Sequence, residues 1–156
     1  MDYKYAMQVE NENSARAVGK SLPISNKQSV EICGFIRGKK LQKAKDMLKQ
    51  VIEKKMAVPY KRYNQDVGHK TGIAAGRYPM NASKNILALL EGVEANAQFK
   101  GLNTSNLVIK HICAHKAAKQ WHYGRKRRRV MKKATIEVIV VEEGEKHKER
   151  KEGNKK

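Results

Sequence analysis

Apolar residues recur at steps of three and four in three stretches of the chain, and at steps of two near its end. In the first stretch Leu22-Pro23-Ile24-Ser25 leads into a predicted helix, with Ser25 as cap, Gln28 three residues on to complete a capping box, and Ile32, Cys33, Phe35 and Ile36 as an apolar stripe. Gly38 closes it. A second helix is predicted from Leu41 to Lys55, where Leu41, Ala44, Leu48, Val51 and Ile52 share one face and lysines take the other. Pro79 opens a third, marked by Ile86, Leu90, Val93 and Ala97 and ended by Gly101. Alternation predicts strands at Leu107–Ala114 and, strongly β-branched, at Ala134–Val141, with a weaker one at Lys4–Val9.

Two segments fall outside this pattern. From Ala57 to Tyr78 the periodicity stops, and Gly68, Gly72 and Gly76 accompany Lys61, Arg62, His69, Lys70 and Arg77. An irregular stretch of more than about 15 residues in a small domain is usually functional or disordered. The second segment links the last two strands and holds Lys116, Lys119, Arg125, Lys126, Arg127, Arg128, Arg129, Lys132 and Lys133, with no acid between Ala95 and Ile136. Two strands joined this way form an antiparallel hairpin. Paired to its tip, with about seventeen residues per arm at ~3.3 Å each, it would reach ~55 Å and project from a body of this size.

Charge narrows the partners. The 156 residues hold 34 Lys and Arg against 15 Asp and Glu, a formal net charge of +19, and such self-repulsion calls for a polyanion. A membrane is disfavoured: no run approaches the ~18 apolar residues of a spanning helix, and Met1-Asp2-Tyr3-Lys4 begins no signal peptide, so a cytoplasmic protein is expected. Nucleic acid remains. Around the arginine cluster, Trp121, His122 and Tyr123 offer faces on which unstacked bases could lie, while guanidinium groups pair with phosphates.

Other constellations are weaker. Gly68-His69-Lys70-Thr71 lacks the glycine that a phosphate loop needs directly before its lysine. His111, Cys113 and His115 would share one face of a strand and could face zinc. No fourth ligand is evident, however, and the same alternation continues the apolar positions Leu107 and Ile109. The expectation is therefore core, with no metal and no cofactor. Cys33 and Cys113, far apart in a cytosolic chain, read as small buried apolar residues. No catalytic triad or carboxylate pair stands out, so an enzyme is not expected, nor a small-molecule substrate. The main alternative is a free-standing basic nucleic-acid chaperone, against which the irregular glycine-rich segment argues.

Several segments together resemble the family of ribosomal protein twenty-two of the large subunit, in its archaeal and eukaryotic form (seventeen in eukaryotic naming). They are Leu22-Pro23-Ile24-Ser25, the run Val58-Pro59-Tyr60-Lys61-Arg62-Tyr63-Asn64-Gln65-Asp66-Val67-Gly68-His69, Gly76-Arg77-Tyr78-Pro79, Val93-Glu94-Ala95-Asn96-Ala97 and Lys100-Gly101-Leu102. Their order and spacing carry the resemblance, from Tyr5 to about Glu143. It implies an α+β fold: three helices packed on a small antiparallel sheet, with a long projecting β-hairpin. The expected division is a body over 1–106, completed by strand residues 107–114 and 134–141, a hairpin over 107–141 and a charged, disordered tail over 142–156. The resemblance further implies a structural component of the large ribosomal subunit. Its body would sit near the exit of the peptide tunnel, among neighbouring ribosomal proteins, and its hairpin tip would line the tunnel wall against the nascent peptide. Large-subunit rRNA would be held by Lys61, Arg62, Tyr63, His69, Lys70 and Arg77, and by the arm's Lys116, Lys119, Trp121, His122, Tyr123, Arg125–Arg129, Lys132 and Lys133. At the tip Tyr123-Gly124-Arg125 takes the place of the family's aromatic or histidine before Gly-Arg, while Lys126 to Arg129 replace smaller residues.

Overall fold

A computed structural model of the chain describes residues 3–8 and 13–142. Three helices form where the periodicity places them. Helix α1 (Asn26–Ile36) buries Ile32, Cys33 and Ile36 on one side, and Gly38 then leaves the helix at φ +73°. Ser25 stands at the cap position, but its side chain makes no capping bond. Instead of the expected box with Gln28, the Ser29 hydroxyl donates to the Ser25 carbonyl at 2.9 Å. Helix α2 (Leu41–Ile52) buries Leu41, Ala44, Leu48 and Val51 completely, each large side chain contributing roughly 2–3 kcal/mol. It stops short of Lys55, because Lys54 adopts a left-handed φ of +62°. Helix α3 (Met80–Phe99) follows Pro79, turns Ala82, Ile86, Leu90, Val93 and Ala97 inward, and is followed by Gly101 at φ +76°.

The strands form two small antiparallel sheets. In the larger, β1 (Ser14–Leu22) and β5 (Leu107–Lys116) flank β6 (Ala134–Glu142). Strand β1 corrects the sequence reading, which expects the first strand at Lys4–Val9. Residues 3–8 form no strand, and Val9 lies outside the described residues. Ser14–Leu22 is poor in β-branched residues, so its strand state comes from pairing along the β-branched β6 rather than from local propensity. Ala15, Leu107, Ile109, Ile112, Ala134, Ile136, Val138 and Val140 meet the helices in one core.

The smaller sheet overturns the expectation of an irregular 57–78 segment. There β4 (Ile73–Arg77) lies between β2 (Val58–Pro59) and β3 (His69–Lys70), with Gly72 at φ +75° turning β3 into β4. Two-residue strands carry too few positions to leave a periodic trace.

Beyond Lys116 and Ala134 the two chains continue antiparallel, but the regular ladder expected to the tip does not. The remaining links are Ala117 N–H to Lys133 O at 3.5 Å, Met131 N–H to Gln120 O at 2.7 Å, a Trp121–Val130 bridge and His122 N–H to Arg129 O at 2.9 Å. Four residues on one side, 117–120, face three on the other, 131–133. The turn is a single 3-10 helical turn at Gly124–Lys126, with Gly124 at φ +62°. Past Glu142 the expected tail lies outside the described residues.

Candidate nucleic-acid interface

The basic side chains singled out in the sequence are, with few exceptions, solvent-facing. Lys61, Arg62, His69, Lys70 and Arg77 are exposed and Tyr63 is half-buried; on the arm, Lys116, Lys119, Trp121, Tyr123, Arg125–Arg129 and Lys132 are exposed, while His122 and Lys133 are half-buried. Trp121 keeps 65% of its surface and Tyr123 88%, too much for either to be core. Both rings therefore present faces to solvent.

Folding joins the two basic segments at the root of the arm. A groove of about 600 Å³ is lined by Lys27, Arg62, Tyr63 and Arg77 and, from the arm, Lys132. Cations lean over its aromatic rings, Lys27 at 5.5 Å and Arg62 at 5.8 Å from the Tyr63 centroid, and on the neighbouring strand Lys70 at 5.6 Å from Tyr78. Such stacking pre-orients the charged groups at little entropic cost. The Arg125–Arg129 cluster surrounds the turn, outside the core.

Three contributors escape the sequence reading. Glu31, on α1 and only 6% exposed, accepts the backbone N–H groups of Lys61 at 3.0 Å, Arg62 at 2.9 Å and Tyr63 at 2.7 Å. It fixes the segment carrying those side chains. An acid between Val30 and Ile32 is the only sequence signal for it. Arg37 and Lys39 line a second groove of about 600 Å³ with Glu31, Lys61 and Arg62, and Arg37 also donates to the Ile112 carbonyl at 2.7 Å. The run Arg37-Gly38-Lys39-Lys40 is the signal for this pair.

The histidine face differs from its expectation. Ile109 pairs with Val140 and His111 with Ile139, so Lys110 is an extra residue in β5. That bulge inverts the alternation: Ile109 and Ile112 face the helices, whereas His111, Cys113 and His115 lie on the opposite face. There Cys113 stands directly across from Glu137, which is fully buried. Glu137 Oε1 is 2.9 Å from His111 Nε2 and 3.2 Å from His115 Nε2. The other oxygen accepts the Tyr3 hydroxyl at 3.0 Å, and the Ala6 N–H reaches the carboxylate at 3.3 Å. Burial pushes the Glu137 carboxyl up, but the bonds from His111, His115, Tyr3 and Ala6 outweigh it, and the group sits below its ordinary value. Burial, together with the bond to Glu137, pushes the Tyr3 hydroxyl up to about 12.

The fold and this surface define a class: a small α+β protein whose sheet extends into an acid-free basic arm. Known proteins make it specific. The model of the ribosomal protein L22p/L17e family matches residues 17–143. The large ribosomal subunit protein uL22 of Archaeoglobus fulgidus is 42% identical over 145 residues, covering 87% of this chain and 94% of the relative. The uL22 of Thermoplasma acidophilum is 44% identical, over 90% and 96%. That of Methanococcus aeolicus is 48% identical, over 72% and 75%. The chain belongs to the ribosomal protein L22p/L17e family, whose members are structural, non-enzymatic constituents of the ribosome.

Proposed function

We propose that the chain is a structural constituent of the cytoplasmic large ribosomal subunit that binds large-subunit rRNA through two surfaces. One is the Glu31-anchored segment from Lys61 to Arg77; the other is the arm from Lys116 to Lys133. The observation that carries the reading is the arm itself. It holds Trp121, Tyr123 and five consecutive cations at 125–129, exposed, with no acid nearby in sequence to neutralise them. Phosphate contacts from the cations position the arm, and the aromatic faces stack on unpaired bases. In this reading residues 1–106 form a body near the tunnel exit, beside neighbouring ribosomal proteins. The arm between the core strands β5 and β6 reaches inward, and its tip meets the nascent peptide.

An RNA–protein crosslinking map on purified large subunits tests the first part. Crosslinks are expected from both Lys61–Tyr63 and Trp121–Arg129; a map with none from the arm refutes its role. Deleting His122–Arg125 tests the second part. Incorporation should persist, because the body contacts remain, while stalling by arrest peptides and sensitivity to tunnel-binding drugs change. If neither moves, the tip is not in the tunnel wall.

A further inference from the structure

The outer face of the larger sheet gathers a thiol, two imidazoles and a buried carboxylate that the RNA-binding surface does not use. Ligand atoms of Cys113, His115 and Glu137 all lie within 4.8 Å of one another. The 3.2 Å from His115 Nε2 to Glu137 Oε1 is close to the edge of roughly 3.3 Å that tetrahedral bonds of about 2.0–2.1 Å require. His111 Nε2 approaches the same oxygen at 2.9 Å, as a hydrogen-bonding neighbour of the group rather than one of its ligands. We propose that Cys113, His115 and Glu137 form a binding site for a divalent transition ion, zinc above all, with water completing the tetrahedron.

Four observations converge on this site. Glu137 is fully buried, and among the described residues its ion-pair partners are the two histidines, with no lysine or arginine. A buried carboxylate calls for a cation, and an ion would supply the missing charge. The carboxylate is already set for one-oxygen coordination: Tyr3 holds Oε2, while Oε1 faces the imidazoles. Outer hydrogen bonds of this kind fix the ligand's orientation. Cys113 and His111 are half-buried, and the His115 side chain is 41% exposed, so an ion can enter from solvent. Finally, a thiolate and imidazole set suits zinc or cobalt and not magnesium or calcium, which take oxygen ligands. Coordination moves the Cys113 thiol proton to solvent and the proton on His115 Nε2 to Nδ1 or solvent, and places the sulfur, the freed imidazole nitrogen and Oε1 on the ion. The site would tie the Tyr3–Ala6 segment to β5 and β6 where the arm leaves the body.

The test uses the full chain and cobalt(II) as probe. One equivalent should bind with a thiolate-to-metal charge-transfer band and tetrahedral visible bands, and zinc should displace it. Cys113→Ser should abolish the charge-transfer band. His115→Asn, at the exposed edge and therefore safe for folding, should weaken binding about tenfold or more, and Tyr3→Phe by about ten- to a hundredfold. His69→Asn and His122→Asn should leave it unchanged. Absence of a charge-transfer band in the intact chain overturns the proposal. So does a band that survives Cys113→Ser, or an affinity that His115→Asn does not alter.

Discussion

Replacing Glu31 with alanine isolates the contribution of one anchor to a whole binding surface. In the native chain its Oε1 accepts from Arg62 and Tyr63, and its Oε2 from Lys61. Each hydrogen bond to a charged group contributes roughly 1.5–3 kcal/mol. Lys61 and Arg62 are exposed, however, so water can take over part of what is lost. About 2–4 kcal/mol should therefore disappear, less the few tenths that alanine returns through its higher helix propensity. At roughly 2–4 °C per kcal/mol for a domain of this size, the melting temperature should fall by about 4–15 °C. Glu31→Gln should lie between the two. Its carbonyl oxygen can serve Arg62 and Tyr63, but its amide would point a donor at the Lys61 N–H. Circular dichroism gives the melting temperature, and hydrogen exchange reads the three amides directly. Protection at 61, 62 and 63 should drop in Glu31→Ala while that of α2 follows only the global change. If the three amides keep their protection and the melting temperature stays within about 1 °C, the anchor role is wrong.

Three further outcomes are expected. In binding to naked rRNA, Arg127→Ala combined with Arg128→Ala should flatten the dependence of log K on log salt by about one to two units; an unaltered slope means that these guanidiniums do not touch phosphate. Without RNA, amides between Lys116 and Lys133 should exchange quickly while those of α2 and α3 stay protected, because a two-stranded ribbon with few ladder bonds is marginal in water; slow exchange in the arm would contradict this. Near pH 8 and free of metal, a disulfide reagent should label the half-buried Cys113 before Cys33, whose thiol is buried and pushed by that burial up to about 12; equal labelling rates would show that α1 opens readily.

The helices were legible because each buries a stripe at a fixed angular step, as the fully buried Leu41, Ala44, Leu48 and Val51 show. Sheets were less so. Ser14–Leu22 is a strand because β6 offers it an edge, and that information sits over a hundred residues away. The alternation at 107–115 encodes a strand but not a single continuous face, since one extra residue at Lys110 reverses the sides without altering the pattern's period. The exposed cations were visible from charge alone. Their assembly was not: Lys132 reaches the groove of Arg62 and Arg77 only through folding, and Glu31 acts through backbone groups that no side-chain pattern encodes.

The unequal stagger in the arm, four residues at 117–120 against three at 131–133, works as a phase setting for everything beyond it. Each such offset adds local right-handed twist to a ribbon, so the azimuth of Trp121 and Tyr123 about the arm's long axis depends on a count of residues as well as on the side chains at the tip. Substitutions at the tip change what is presented while leaving its direction alone. An insertion or deletion of one residue in either limb would rotate the aromatic faces toward the opposite side of the arm, whereas a matched pair, one in each limb, would lengthen the arm and keep both limbs in step. Length variation among arms of this kind should therefore come in matched steps across the two limbs, a constraint on geometry that leaves chemistry free to drift.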